Sequence, residues 1–284
     1  MICTCRFCQA PVTKTLIDLG KTPLANGYLP VNDPAAIMAE RHFPLHVVVC
    51  NECWLAQTTE TPPADVIFDH DYAYLSSWST GWVEHAARYT RDMTSRFRLD
   101  AQSMVIEIAS NDGYLLQHFV DTGVPVLGVE PAGHAASLAE KKGVPTKVMF
   151  FNEHTANVLK AQGFAANLIV ANNVLAHVPK IEDFVKGFQG LLKTDGIATF
   201  EFPHLARLLE AVQFDTIYHE HFSYLSLTFV QRLMETVGLV VFDVEELQTH
   251  GGSLRVFVCH IGAQPINENV ARVQAEEDAL HLNK

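Results

Sequence analysis

Past residue 100 the chain alternates between two hydrophobic periods. Apolar runs at residues 104–108, 125–129, 167–171 and 196–202 have the length and turn-rich borders of buried strands. Between and after them, residues 113–121, 133–142, 153–162, 181–193 and 226–237 carry apolar positions at helical spacing, and a weaker apolar patch lies at 147–151. In the last helix Phe229, Val230, Leu233, Met234 and Val237 form one stripe, the mark of a core-facing helix rather than a ligand site. Such alternation predicts an α/β fold: a doubly wound, Rossmann-like parallel sheet with helices on both faces. A further helix is expected over about 80–97, lying across this domain.

The first third of the chain has a different texture. Leu16–Gly20, Thr22–Asn26 and His42–Val49 look like short strands and turns, with too little apolar mass to fold unaided. Cys5-Arg-Phe-Cys8 and Cys50-Asn-Glu-Cys53 supply what is missing. Each C-x-x-C pair puts two thiolates on one turn, and two such turns complete a tetrahedron around zinc. Cys5, Cys8, Cys50 and Cys53 are therefore the expected metal ligands. Four thiolates leave no open position for water, so the zinc is expected to be structural, and its binding to stabilise the module. Cys3 is wrongly spaced for a knuckle with Cys8, and Cys259 lies in an apolar run as a small hydrophobe. Thr61-Pro-Pro-Ala-Asp65 breaks regular structure. The expected division is a zinc module at 1–66, a nucleotide-binding domain at 67–245 and the opening of a further domain at 246–284.

A length of 284 residues fits two domains and part of a third. The formal net charge of −12 argues against a nucleic-acid surface, although a few placed cations could still hold a small anion. The N-terminus has no run of signal-peptide type, and nothing approaches the ~20 apolar residues of a membrane span, so a soluble cytoplasmic chain with no membrane partner is expected.

Three stretches carry candidate chemistry, each following a predicted strand or opening a helix. Glu107 lies near the carboxyl end of the 104–108 strand, before the turn Ser110-Asn-Asp-Gly113. Glu130 follows 23 residues later, about the offset at which an acid meets a ribose hydroxyl pair. The loop has one glycine where a pyrophosphate-binding fingerprint needs three, which disfavours a nicotinamide dinucleotide. A ligand with adenosine but no phosphate, such as S-adenosylmethionine, does not need that close approach. Asn172, Asn173 and His177 follow the 167–171 strand; capping accounts for one asparagine but not for all three residues. The densest group is Tyr218, His219, Glu220, His221 and Tyr224. A histidine with a nearby carboxylate can remove a proton near neutral pH, and tyrosine or histidine donors can stabilise an oxyanion. A His-Glu-His metal site would have only two convergent ligands, His219 and His221. Tyr72, Tyr74, Ser76 and Ser77, before the 80–97 helix, either line a ligand mouth or pack on the sheet; spacing alone favours packing.

Taken in order, Cys5–Cys8, Asp18-Leu-Gly-Lys-Thr-Pro-Leu-Ala25, Phe43-Pro-Leu45, Tyr72-Ala-Tyr-Leu-Ser-Ser77, Glu107-Ile-Ala-Ser-Asn-Asp-Gly113, Asn172-Asn-Val-Leu-Ala-His177, Tyr218-His-Glu-His-Phe-Ser-Tyr-Leu-Ser226 and His250-Gly-Gly-Ser-Leu-Arg255 resemble the zinc-containing sugar C-methyltransferases that act on nucleotide-linked keto-deoxysugars. The resemblance covers essentially the whole chain. It implies S-adenosylmethionine as methyl donor, a thymidine-diphospho-4-keto sugar as acceptor, and methylation at the ring carbon beside the ketone. It implies His221 as the base, with Tyr218, Glu220, His177 and Tyr74 around it; Tyr72 is the rival for the tyrosine position. The cofactor is expected against Glu107, Ala109, Asn111 and Gly113, then Glu130 and Pro131, then Asn172. Members of that family carry a further C-terminal domain that helps hold the nucleotide sugar, and Ile266–Leu282 looks like its opening helix. The alternative expectation is a non-catalytic, zinc-stapled binding module, or a fragment that needs a partner chain for activity.

Overall fold

The computed structural model describes residues 3–59 and 74–283. The expected linker at 61–65, the boundary at 66/67 and Tyr72 fall outside the described residues. The N-terminal module begins with the two-residue strands β1 (Cys3–Thr4) and β2 (Pro11–Val12). It continues through β3 (Lys14–Thr22), the short helix α1 (Pro34–Met38), β4 (Phe43–Val49) and β5 (Ala56–Thr58). The large helix α2 (Thr80–Phe97) follows the described 74–79 segment. Ser79 caps its N-terminus by accepting from Trp82 N, and Arg98 ends it in the left-handed conformation.

The predicted alternation then appears as β6 (Val105–Ile108), α3 (Leu116–Val120), β7 (Val126–Val129), α4 (Gly133–Lys141), β8 (Thr146–Lys147), α5 (Glu153–Ala161), β9 (Ala166–Asn172), α6 (Ile181–Leu191) and β10 (Leu192–Pro203). Every residue of β6 and β7 is buried, as a strand covered by helices on both faces requires. After β10 come α7 (Leu205–Glu210), β11 (Ser223–Tyr224), α8 (Leu227–Glu235), β12 (Leu239–Leu247), β13 (Ser253–His260) and α9 (Glu268–Ala279). The central sheet has the order β12-β13-β10-β9-β6-β7-β8.

Three expectations need correcting. The sheet is not wholly parallel, because β13 runs antiparallel to both β10 and β12. Only residues 248–252 separate β12 from β13, and a parallel crossover needs a dozen or more residues. The boundary drawn at 245/246 falls inside β12, so residues 246–260 complete the central sheet instead of opening a separate unit. The helix expected from residue 113 begins only at Leu116, since Gly113 turns the chain at φ +76°. A Cβ there would lie 3.1 Å from the Cβ of Ala139 on α4, so this glycine lets α4 pack down on the turn.

α9 is tied into the domain. Glu277 is fully buried and accepts from Leu227 N at 2.5 Å and Thr228 N at 2.8 Å, so it caps the N-terminus of α8. It also meets His204 Nε2 at 2.7 Å. Burial would raise its pKa, but the bonds from His204 and Thr228 outweigh that and hold it below the usual carboxylate value.

Candidate active site

The N-terminal module joins the two cysteine pairs through two turns of one design. Gln9 N donates to Cys5 O at 3.1 Å, and Trp54 N donates to Cys50 O at 3.0 Å. Cys5 N then pairs with Ala10 O at 2.8 Å, and Cys50 N with Leu55 O at 3.0 Å. Gln9 (φ 62°) and Trp54 (φ 66°) both sit in the left-handed region. The four ligand sulfurs lie within 4.8 Å of one another, with Cys5–Cys53 at 3.5 Å and Cys8–Cys50 at 3.4 Å. Four thiolates on a tetrahedron with Zn–S bonds of about 2.3 Å stand at closely similar separations. The arrangement fits a closed structural zinc site, with three of its cysteines fully buried.

This module also builds one wall of the site. β11 leaves the central domain and pairs with β5, giving the sheet β11-β5-β4-β3. The segment 214–222 is thereby held against the metal module. His219 Nε2 donates to Phe43 O at 3.2 Å. Glu220 Oε1 accepts from Asn26 Nδ2. Thr58 N donates to Phe222 O at 3.1 Å.

A cavity of about 890 Å³ opens between this wall and the carboxyl ends of β6, β7, β9 and β10. Open α/β sheets bind ligands at that edge. All five residues expected to be catalytic line it: Tyr74, His177, Tyr218, Glu220 and His221. Of those expected to hold the cofactor, Ala109, Asn111, Glu130, Pro131 and Asn172 line it, whereas Glu107 and Gly113 do not. Glu107 is buried beneath, and burial, with Glu130 and Asp112 nearby, drives its pKa well up despite a bond from Tyr114. Gly113 serves packing under α4, as described above.

The end of the cavity lined by Glu130 is densely hydrogen-bonded. Glu130 accepts from Asn111 N at 2.9 Å and Ala132 N at 2.7 Å, one bond per oxygen, which leaves each oxygen free to accept a hydroxyl. Burial raises its pKa and those two bonds lower it again, with a net upward shift. Ala109 (φ 56°) and Asn111 (φ 49°) hold left-handed backbone, a cost of about 1 kcal/mol each that marks a loop fixed by its surroundings. The Asn111 side chain is spent on the 74–79 segment: Oδ1 accepts from Ser76 N at 2.9 Å and Nδ2 donates to Tyr74 O at 3.1 Å. Asn172 is buried, yet its amide O and N have no hydrogen-bond partner among the described residues. An orphaned polar group on a cavity wall fits a polar ligand.

At the other end His221 Nδ1 lies 2.8 Å from Thr216 O, and a carbonyl can only accept. That fixes the tautomer, leaving Nε2 as acceptor for the Tyr218 hydroxyl at 3.1 Å. The His177 ring crosses His221 at 4.8 Å between centroids. Burial lowers His221 to about 4, partly offset by the Thr216 bond, while burial and then His221 lower His177 to about 3. Both rings are neutral near pH 7. Burial and the nearby Glu220 raise Tyr218, so its hydroxyl keeps its proton.

Sequence reasoning missed several wall residues. Asn26 comes from the metal module, Thr216 acts through a backbone oxygen, and Trp82 and His250 line the cavity with their rings 5.1 Å apart. Asn26 directly follows the Asp18–Ala25 motif, so a signal for it existed; a backbone acceptor such as Thr216 O leaves none. The 147–151 patch is a strand only at Thr146–Lys147, and Met149–Asn152 line the cavity.

Comparison with known proteins gives the family and the fold. A family described as "Methyltransferase domain" matches residues 82–244. The chain belongs to that methyltransferase-domain family. A family described as "Putative zinc binding domain" matches residues 5–68, where the four clustered cysteines lie. The C-methyltransferase NovU of Streptomyces niveus is 36% identical over 274 residues, which cover 96% of this chain and 64% of that protein. The chain thus spans under two thirds of the length of this curated relative. The fold is that of S-adenosylmethionine-dependent methyltransferases. A solved one from Anabaena variabilis has a TM-score of 0.51 at 15% identity, covering 71% of this chain and 96% of its own. Another from Clostridium acetobutylicum has a TM-score of 0.51 at 11% identity, covering 63% of this chain and 92% of its own. Among the described residues no helix of this methyltransferase-fold chain is long and apolar enough to cross a membrane.

Proposed function

We propose that the chain is an S-adenosylmethionine-dependent C-methyltransferase that methylates the ring carbon beside the ketone of a dTDP-linked 4-keto-deoxysugar. The observation that carries the reading is one cavity with Glu130 and Asn172 at one end and the oriented His221–Tyr218 pair at the other. Its volume of about 890 Å³ is at the upper end of ligand sites and suits two ligands side by side.

Glu130 would hold the ribose of S-adenosylmethionine and the Asn172 amide a further polar group of it, and the cofactor when bound would supply an electrophilic methyl group. The chain's own residues make the nucleophile. His221 Nε2 takes the proton from the carbon beside the ketone, since Nδ1 is already committed to Thr216 O. Once protonated, Nε2 becomes a donor to the Tyr218 oxygen, and the Tyr218 hydrogen is released to the forming enolate oxygen. Imidazolium and enolate form together, so the cavity gains no net charge. His177 packs against the base, and Glu220, held by Asn26, and Tyr74 line the same cavity as its supporting shell.

The test is exchange of the sugar's ring proton in deuterated water together with calorimetry of cofactor binding. His221→Asn should abolish exchange and leave S-adenosylmethionine binding within about twofold of wild type, as a group that acts only on the acceptor would. Loss of cofactor binding in that variant would contradict the assignment. A second reading, in which the chain needs a partner chain to hold the nucleotide, rests on the charge of the cavity. Among its described lining residues Lys180 is the one Lys or Arg, against Glu130, Asp183, Asp215 and Glu220. In that case the cofactor binds to the chain alone, and exchange begins only when the partner is added.

A further inference from the structure

We propose that Arg6, set between the metal ligands Cys5 and Cys8, is a positioning residue that ties the four-cysteine site to the two active-site imidazoles. The inference rests on the reading of His221 as the base and of His177 as the ring packed against it. The Arg6 backbone N–H donates to Gln57 Oε1 at 3.0 Å. Its side chain leaves the knuckle for the active-site wall. Nη1 donates to Thr58 O at 2.7 Å, while Nη2 donates to Phe222 O and lies 3.3 Å from Ser223 Oγ.

Phe222 is the hinge of the arrangement. It follows His221 directly, and its own N–H donates to Ala176 O at 2.9 Å, one residue before His177. The main chain of this one residue therefore links the two imidazole-bearing segments. Its carbonyl is held by Arg6 and Thr58 N, and its amide by Ala176. The guanidinium suits this task, because a planar fork can hold two carbonyls at fixed separation. The β5–β11 pairing holds the strand that follows, with Ser223 opposite Gln57 and Tyr224 opposite Ala56. Arg6 adds a side-chain hydrogen-bonding link that starts inside the metal knuckle. The module thus gives the methyltransferase domain a rigid support for its base, and closure of the cysteine site fixes where Arg6 begins.

The experiment uses the zinc-loaded chain and reads the imidazoles directly by long-range ¹H–¹⁵N spectroscopy, with zinc content and S-adenosylmethionine affinity measured alongside. Arg6→Met keeps the stem and removes the fork. It is expected to retain zinc, to bind the cofactor within about twofold of wild type, and to shift or broaden the His177 and His221 signals but not that of His204. Arg6→Lys, which keeps a cation, should bring those signals part of the way back. With a keto-sugar nucleotide, kcat should fall by about 10²-fold in Arg6→Met, the cost of displacing a reacting group by about 1 Å. If Arg6→Met loses its metal, Arg6→Gln takes its place. Wild-type His177 and His221 signals in the zinc-loaded variant would overturn the proposal. The spectra need no acceptor, so failure of the sugar assignment would leave this result standing, and the reverse holds too.

Discussion

His177 and His221 make the stability of this protein depend on pH in a calculable way. In the unfolded chain each takes a proton near pH 6.5, whereas in the folded chain burial delays this to about 3 for His177 and about 4 for His221. Between those limits the unfolded state binds more protons, so stability falls as pH falls below the unfolded value. From about pH 7 to about pH 5 each fully shifted histidine would remove about 2 kcal/mol. Both rings border a cavity, so about 1–2 kcal/mol each is the appropriate size. That is a large part of a total of about 5–15 kcal/mol. The assay is urea unfolding of the zinc-loaded protein at both pH values, for wild type and His221→Asn. The cysteine site titrates in both proteins, so its contribution cancels in the difference. The variant should lose about 1–2 kcal/mol less than wild type over the interval. Parallel losses would refute the view that His221 is buried as a neutral base.

Two other perturbations test the frame around the site. Glu277→Ala strips the cap from α8 and leaves two backbone N–H groups and His204 without their buried acceptor, so the urea midpoint should fall by the equivalent of about 3–5 kcal/mol; a loss under about 1 kcal/mol would mean that α9 is not held through this carboxylate. Glu130→Gln sets an amide NH2 against one of the two backbone donors, Asn111 N or Ala132 N, so calorimetry should show cofactor affinity reduced by about 10–100-fold; unchanged affinity would place the adenosine elsewhere.

What could be read in the chain were features with a short period or a fixed spacing. The buried strands β6, β7 and β9 and the helices that follow them come from local apolar patterning, which a covered sheet imposes on every segment it contains. The metal cluster could be read because a tetrahedral ion demands paired sulfurs at knuckle spacing. Residue type pointed to the group Tyr218, His219, Glu220, His221 and Tyr224, the family resemblance singled out His221 and Tyr218 within it, and the structure adds that both line one cavity.

Tertiary structure decided matters that depend on groups far apart in sequence. That β12 and β13 extend the sheet, and do not open a new unit, follows from pairing with β10 across about 55 residues. The His221 tautomer is set by the carbonyl of Thr216, and a main-chain oxygen has no identity that a sequence can display. Asn26, Phe43 and Arg6 reach the 219–223 segment from some 180–220 residues away. Local pattern reports which face of an element is buried. Which distant group meets it there is fixed only when the whole chain closes, because hydrogen bonds and burial depend on position in space and carry no period along the sequence.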